Sequence, residues 1–238
     1  MPSGLDGAIV VLTRQPEDNV ALAARLRVQA AEIVELPCVR TEPVNVGALA
    51  SAIRSLGADD WLVVTSRHGA DAVAGCGAVR AAIAAVGDRT AARLRTHGLP
   101  VAFEPTSASG ERLARELPKR SGIVLLARSD RALPDLPAIL RTRGFVVREV
   151  AAYRTIPGAW GDVVRVRALL ESSDPHVAVI FHSPSAIEGL LTAIGPRLVA
   201  RAAIYVAGQT TLRAARERLG VEERISLFEE EPADVTHR

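Results

Sequence analysis

Four short hydroxyl-bearing runs carry the chemistry that can be read from this chain. Thr65-Ser66 follows the apolar run Trp61–Val64, and His182-Ser183-Pro184-Ser185 follows Val177–Phe181. Gly87-Asp88-Arg89-Thr90 and Gly208-Gln209-Thr210-Thr211 each set a threonine three residues after a glycine. Read as turns from a strand into a helix, all four offer unpaired N–H groups, hydroxyls and the positive end of a helix dipole. That combination favours an anion. For any one turn taken alone, helix capping by Ser or Thr is the plainer reading. Two arginines end comparable runs, Arg14 after Thr13 and Arg128 after Ala127. A guanidinium grips carboxylates in a two-pronged geometry, so these two suit either substrate carboxylates or internal ion pairs.

The runs recur because the chain repeats itself. Thr65-Ser66 and His182-Ser183 are 117 residues apart, Arg14 and Arg128 are 114 apart, and Thr90 and Thr211 are 121 apart. A slowly drifting offset is what two similar domains with unequal loops produce. Two such domains facing one another would aim the strand-end turns into one cleft.

Composition narrows the function classes. A chain of 238 residues is long enough for two domains of moderate size. The hydrophobic content is 48% and the formal net charge only +2, which argues against a dedicated nucleic-acid binder. No apolar run reaches the roughly 18–20 residues of a membrane span, and Met1–Gly7 lacks the pattern of a signal peptide. Cys38 and Cys76 are isolated thiols without metal spacing, which suits a reducing cytoplasm. Lys119 is the single lysine among 29 basic residues, so Schiff-base chemistry is not expected. The histidines form no zinc pattern, and no dinucleotide, P-loop or nucleophile-elbow motif is present. Neither a metal nor a cofactor is expected.

The elements that must position these residues alternate. Apolar runs of strand length include Ala8–Leu12, Ile33–Leu36, Trp61–Val64, Ala82–Val86, Val101–Phe103, Ile123–Leu126, Val146–Val150, Val177–Phe181, Ala203–Val206 and Ile225–Phe228. Segments with helical spacing lie between them, among them Asp18–Ala30, Gly47–Leu56 and Asp135–Thr142. Continuous rather than alternating apolar runs predict strands covered on both faces, hence an α/β protein with parallel sheets and helices on both sides. Ligands of such sheets sit beyond the carboxyl ends of the strands. Two turn-prone stretches, Leu36–Val46 and Tyr153–Gly161, break the pattern. Taken as crossings, they predict one discontinuous domain of residues 1–37 with 158–238, a second of residues 44–152, and linkers near 38–43 and 153–157. A single cut near Lys119–Gly122 is the rival partition.

Taken in order, the motifs resemble the uroporphyrinogen-III synthase family over nearly the whole length. They are Leu12-Thr13-Arg14, Val64-Thr65-Ser66, Val86-Gly87 with Thr90-Ala91, Pro105 with Ser109-Gly110 and Leu113, and Arg128. Gly144, Val150 with Tyr153 and Thr155, Ser183-Pro184-Ser185, and Gly208 with Thr211 complete the series. The resemblance implies two flavodoxin-like α/β domains joined by two extended linkers, the chain ends building one domain and its middle the other. It implies a cofactor-independent lyase that cyclises linear hydroxymethylbilane, inverts ring D and loses water. The substrate is a polycarboxylate tetrapyrrole, and much of the catalysis is positioning.

By the same resemblance Tyr153 is the catalytic candidate, a phenol able to donate a proton to the leaving hydroxyl. The substrate-binding set is Thr13, Arg14, Thr65, Ser66, Thr90, Ser109, Arg128, Ser183, Pro184, Ser185, Gly208, Gln209, Thr210 and Thr211. Tyr205 reads as core. The chain departs from the family at His182, where many relatives have threonine, and at Ser129-Asp130, since the family usually continues with a glycine after Arg128. A cytoplasmic monomer that meets hydroxymethylbilane synthase transiently is expected, with no nucleic-acid or membrane partner. The alternatives are a catalytically inactive tetrapyrrole or polyanion sensor of the same fold, and an unrelated α/β ligand-binding protein. The acidic run Glu229–Glu231 reads as a solvated tail.

Overall fold

The computed structural model describes residues 5–172 and 176–228, so the run Glu229–Glu231 lies outside the described residues. The chain begins with β1 (Ile9–Leu12), α1 (Pro16–Leu26), β2 (Glu32–Glu35) and β3 (Val39–Pro43). Its middle runs α2 (Val46–Arg54), β4 (Trp61–Val64), α3 (Arg67–Ala74), β5 (Ala82–Ala85), α4 (Asp88–Thr96) and β6 (Val101–Phe103). Then come α5 (Gly110–Glu116), β7 (Val124–Ser129), α6 (Asp135–Thr142) and the long β8 (Val147–Pro157). The last part is α7 (Val163–Glu171), β9 (Val177–Phe181), α8 (Pro184–Ile194), α9 (Pro196–Val199), β10 (Ala203–Val206), α10 (Gln209–Leu219) and β11 (Ile225–Leu227).

Two compact units result. One comprises Met1–Arg40 with Ile156–Arg238, the other Thr41–Thr155. The first holds a five-stranded sheet in the order β11-β10-β9-β1-β2, with every neighbouring pair parallel. The six-stranded sheet has the order β3-β8-β7-β4-β5-β6, and the pairs from β8 to β6 are parallel. Parallel neighbours need crossover helices, and the helices cover both faces.

That coverage explains the unbroken apolar strands. In the first sheet Val10 and Leu12 pack with Leu22 and Leu26 of α1 on one face. Val11 packs on the other with Phe181, Ile187 and Leu190. In the second, Leu62 and Val64 face Leu49, Ile53 and Val73, while Trp61 and Val63 face Leu113, Leu117 and Leu140. Each fully buried Leu, Val or Ile contributes about 1.5–3 kcal/mol relative to an exposed one. The helix ends follow local rules. Pro16 opens α1 with Glu17 and Asp18 in its first turn, and Gly220 at φ 65° closes α10 behind Arg216 and Arg218.

The two predicted crossing stretches are more ordered than turn-prone linkers. Residues 39–43 form β3, and β8 continues through Tyr153 to Pro157. Within the first unit both segments are pinned together: Gly158 N–H donates to the Cys38 carbonyl and Trp160 N–H to that of Pro37. Gly189 of α8 presses on this pair, where a Cβ would meet the Cys38 carbonyl and lie 2.6 Å from Gly158 N.

Candidate active site at the strand ends

In the second unit β4 ends at Val64 and α3 begins at Arg67, leaving Thr65 and Ser66 as the turn. Ser66 is the N-cap: its Oγ accepts the Gly69 N–H at 3.0 Å. The same oxygen lies 2.8 Å from the phenol oxygen of Tyr153, 87 residues away. With one lone pair given to Gly69, Ser66 still has a proton and a lone pair for the phenol, so the Tyr153 proton can be directed elsewhere.

A β-bulge aims Tyr153 at that point. Arg128 pairs with Ala151 but Ser129 pairs with Tyr153, so Ala152 is an extra residue on β8. Consecutive strand residues normally point to opposite faces. Here Ala152 and Tyr153 both enter the core cluster beneath α3. Past the bulge, Ser129 Oγ donates to Asp130 Oδ1 and contacts Thr155 Oγ1, and Asp130 Oδ1 accepts the Thr155 N–H. Ser129 and Asp130 thus brace the strand that carries Tyr153. Burial pushes the phenol pKa above its ordinary value, hydrogen bonds from Ser66 and Ser129 oppose the rise, and the Asp130 charge adds to it. The phenol of Tyr153 therefore keeps its proton more firmly than a solvated tyrosine does.

His68, on the second residue of α3, completes the group. Its Nδ1 lies 3.3 Å from Thr41 Oγ1, and its ring stands 5.6 Å from that of Tyr153 at a tilt of 58°. A cavity of about 540 Å³ opens beside the turn, lined by Thr65, Gly110, Arg128, Leu133, Leu136 and Ile139 among others.

The remaining candidates separate by the work their polar atoms already do. Arg128 is 8% exposed and engaged at both ends, donating to the Leu133 carbonyl at 2.7 Å and to Glu149 at 2.6 Å. Thr13 is fully buried and donates to the Ile180 carbonyl, tying β1 to β9. Ser109 and Ser183 cap α5 and α8, accepting N–H groups from Arg112 and Ala186. Pro184 and Ser185 form the first turn of α8, and Gln209 and Thr210 that of α10 behind Gly208 at φ 78°. Thr90 and Thr211 are buried in the first turns of α4 and α10. Arg14 is half-buried just before α1, and its carbonyl accepts from Asn19. Tyr205 is buried in the core against β1 and β9.

The first turns also differ in charge. Those of α4, α5 and α6 carry Asp88, Glu111 and Asp135, whereas those of α3, α8 and α10 carry no acid. An anion meets no like charge at the latter three. No motif in the sequence marks His68 or Thr41 as site residues, and Ser129-Asp130 stands out there only as a departure from the family pattern. Only the place of His68 two residues after the Thr65-Ser66 turn could have signalled it.

The family model described as uroporphyrinogen-III synthase HemD matches residues 20–226. The chain belongs to the uroporphyrinogen-III synthase family. It is 30% identical over 222 residues to the chloroplastic uroporphyrinogen-III synthase of rice, Oryza sativa subsp. japonica, covering 87% of this chain and 72% of that protein. It is 27% identical to the uroporphyrinogen-III synthase of Synechococcus elongatus, covering 63% of this chain and 62% of that protein. A porphyrin biosynthesis protein HemD of Ruminiclostridium josui is 29% identical over 65% of this chain, which spans only 33% of that longer relative.

The fold is shared with solved family members. A mutant uroporphyrinogen III synthase from Thermus thermophilus superposes with a TM-score of 0.60 at 23% identity, covering 94% of each chain. Uroporphyrinogen-III synthetase from Helicobacter pylori gives 0.58 at 16% identity, covering 88% of each. As the family implies, the chain is α/β with parallel sheets flanked by helices. Among the described residues no helix is long and apolar enough to cross a membrane.

Proposed function

We propose that this chain is a uroporphyrinogen-III synthase that cyclises hydroxymethylbilane with inversion of ring D. Besides family membership, one observation carries the reading: a neutral, buried phenol held by Ser66 at the carboxyl end of a parallel sheet. Tyr153 donates its proton to the terminal hydroxyl of the bilane. The C–O bond breaks with its electron pair on oxygen, and water leaves. The substituted carbon of ring D attacks the methylene carbon so exposed, and the spiro intermediate rearranges and closes. The proton lost as the last ring regains aromaticity balances the one donated, so the net change is loss of one water. No step transfers electrons to an acceptor, and the chemistry requires no cofactor.

The substrate brings eight carboxylates, and the acid-free first turns of α3, α8 and α10 suit them. We assign Thr65, Ser66, Thr90 and Ser109, with Ser183–Ser185 and Gly208–Thr211, to substrate binding. Arg14 remains in that set. Thr13 and Arg128 act indirectly, by holding strand ends, since their polar atoms are already bound within the protein. Cys38 and Cys76 are free thiols, which suits a cytoplasmic setting. The large exposed apolar residues, such as Val28 and Val164, are scattered, which suits a monomer that receives its substrate from hydroxymethylbilane synthase by transient contact.

The test is a coupled assay in which hydroxymethylbilane synthase and porphobilinogen supply the bilane, the products are oxidised and the isomers are separated. Isomer III is the expected product. Isomer I alone, from a protein that is folded by circular dichroism, overturns the proposal.

A further inference from the structure

His68 is placed to do more than pack. It is the second residue of α3, so its backbone N–H belongs to the first-turn donors that the helix cannot satisfy. Ser66 has already turned its oxygen to the neighbouring Gly69 N–H. The His68 ring is half-buried and braced on two sides, by Thr41 Oγ1 at Nδ1 and by the Tyr153 ring. Among the described residues Nε2 makes no hydrogen bond or ion pair. The ring is thus oriented by the protein at one nitrogen and unengaged at the other, 5.6 Å from the ring of the proposed acid.

That arrangement separates two roles a histidine could have here. The hydrogen-bond partner of the phenol is Ser66, so His68 is not the relay that reprotonates Tyr153. The N-terminus of α3, without an acid in its first turn, attracts an anion.

We propose that His68 is a substrate-binding residue, gripping one carboxylate arm of the bilane through Nε2 and its backbone N–H, with Thr41 as its positioning residue. The inference rests on the reading of the chain as a synthase. Its consequence is specific: a pyrrole anchored at His68 is held next to the Tyr153 hydroxyl, so anchoring and proton donation act on neighbouring parts of one substrate.

Two amide substitutions resolve the two ring nitrogens. Asn at position 68 reproduces the Nδ1 contact with Thr41 but lacks the distal donor, whereas Gln reproduces a donor near Nε2. The probe is uroporphyrin III, an octacarboxylate, titrated by fluorescence against the full chain, alongside the steady-state isomer assay. His68→Asn is expected to weaken uroporphyrin binding and raise KM by about tenfold, the effect of one hydrogen bond to a charged group. In that variant kcat stays within about threefold of wild type, and His68→Gln recovers most of the loss, because only binding is removed. Thr41→Val, which leaves residue 68 unchanged, is expected to raise KM by about threefold with an unaltered melting temperature, as one neutral hydrogen bond would.

Wild-type binding and KM in His68→Asn overturn the inference, and so does an equal loss in both amide variants. A fall in kcat without a change in KM also overturns it. Absence of isomer III from the wild type, with the order of uroporphyrin affinities preserved, defeats the reading of the chain as a synthase and leaves the carboxylate site standing.

Discussion

Ser66 Oγ and the phenol oxygen of Tyr153 lie 2.8 Å apart, although 87 residues separate them. The pair joins the cap of α3 to the bulge of β8, so the proposed acid is held by the same atom that starts the helix at which an anion would bind. Anything that shifts Ser66 therefore moves both the acid and the helix end.

Tyr153→Phe removes the proton donor and keeps the ring. Turnover to isomer III is expected to fall by about 10²-fold or more, with the melting temperature close to that of wild type. Ser66→Ala loses both the cap and the phenol's partner, so it costs about 1 kcal/mol of stability as well as turnover. Chromatography of the isomers and a thermal melt measure the two effects. Full activity in Tyr153→Phe would leave positioning alone to account for the rate. Tyr205→Phe, buried in the other unit's core, leaves the chemical step unchanged.

Arg128 is expected to matter for structure more than for substrate. Its guanidinium bridges Glu149 and the Leu133 carbonyl, and Arg141 also reaches Glu149. Arg128→Ala should destabilise the fold by about 2 kcal/mol, because it strands partly buried partners. Glu149→Gln should reproduce part of that loss. A double-mutant cycle by urea unfolding should show a coupling of about 0.5–3 kcal/mol. Strict additivity, together with a KM effect confined to Arg128→Ala, would return this residue to the substrate-binding set.

Alkaline pH should unfold the protein in a way that exposes Cys38. Burial pushes its thiol from 9.0 to about 12. Above pH 9 the unfolded chain releases this proton while the folded chain keeps it, so the unfolded state binds fewer protons and stability falls as pH rises. The loss runs from about pH 9 to about pH 12, with a limiting slope of about 1.4 kcal/mol per pH unit for one proton. Tyr153, also raised by burial, adds a loss of the same sign above about pH 10. Unfolding free energies of wild type and Cys38→Ala at pH 8, 10 and 11 check the sign. Parallel curves would exclude the thiol as the source.

Among the described glycines of the first unit, Gly189 has the least room for a side chain. A methyl group there collides with the backbone of Cys38 and Gly158, and backbone cannot rotate away as a side chain can. Gly189→Ala is expected to cost about 3 kcal/mol, at the upper end of overpacking effects. Chemical denaturation measures it, and a change below about 0.5 kcal/mol would mean that α8 shifts freely.

Much of the architecture is set by patterns only a few residues long. Runs such as Trp61–Val64 and Val177–Phe181 are apolar at every position because helices cover both faces of their sheets, and they form β4 and β9 with those same bounds. Ser66, Ser109 and Ser183 cap helices because a hydroxyl at a strand-to-helix turn can take a first-turn N–H, a rule that operates within three residues. The α/β class was legible at that scale, and the family in the order of such motifs along nearly the whole chain. The crossing stretches were less so: Pro37, Pro43 and Pro157 punctuate them like loops, yet residues 39–43 and 153–157 lie in β3 and β8.

The site itself was decided by tertiary structure. No periodicity announces that Ala152 is an extra residue, because the bulge exists only relative to Arg128 and Ser129 on the neighbouring strand. Without it Tyr153 would point to the opposite face of the sheet. Arg128 could not be sorted as a structural residue until Glu149 was seen beside it, nor could His68 be noticed before Thr41 and Tyr153 closed around its ring. Capping and burial follow from nearest neighbours along the chain. The aim of a side chain depends on contacts between residues far apart in sequence, and only the folded sheet brings those together.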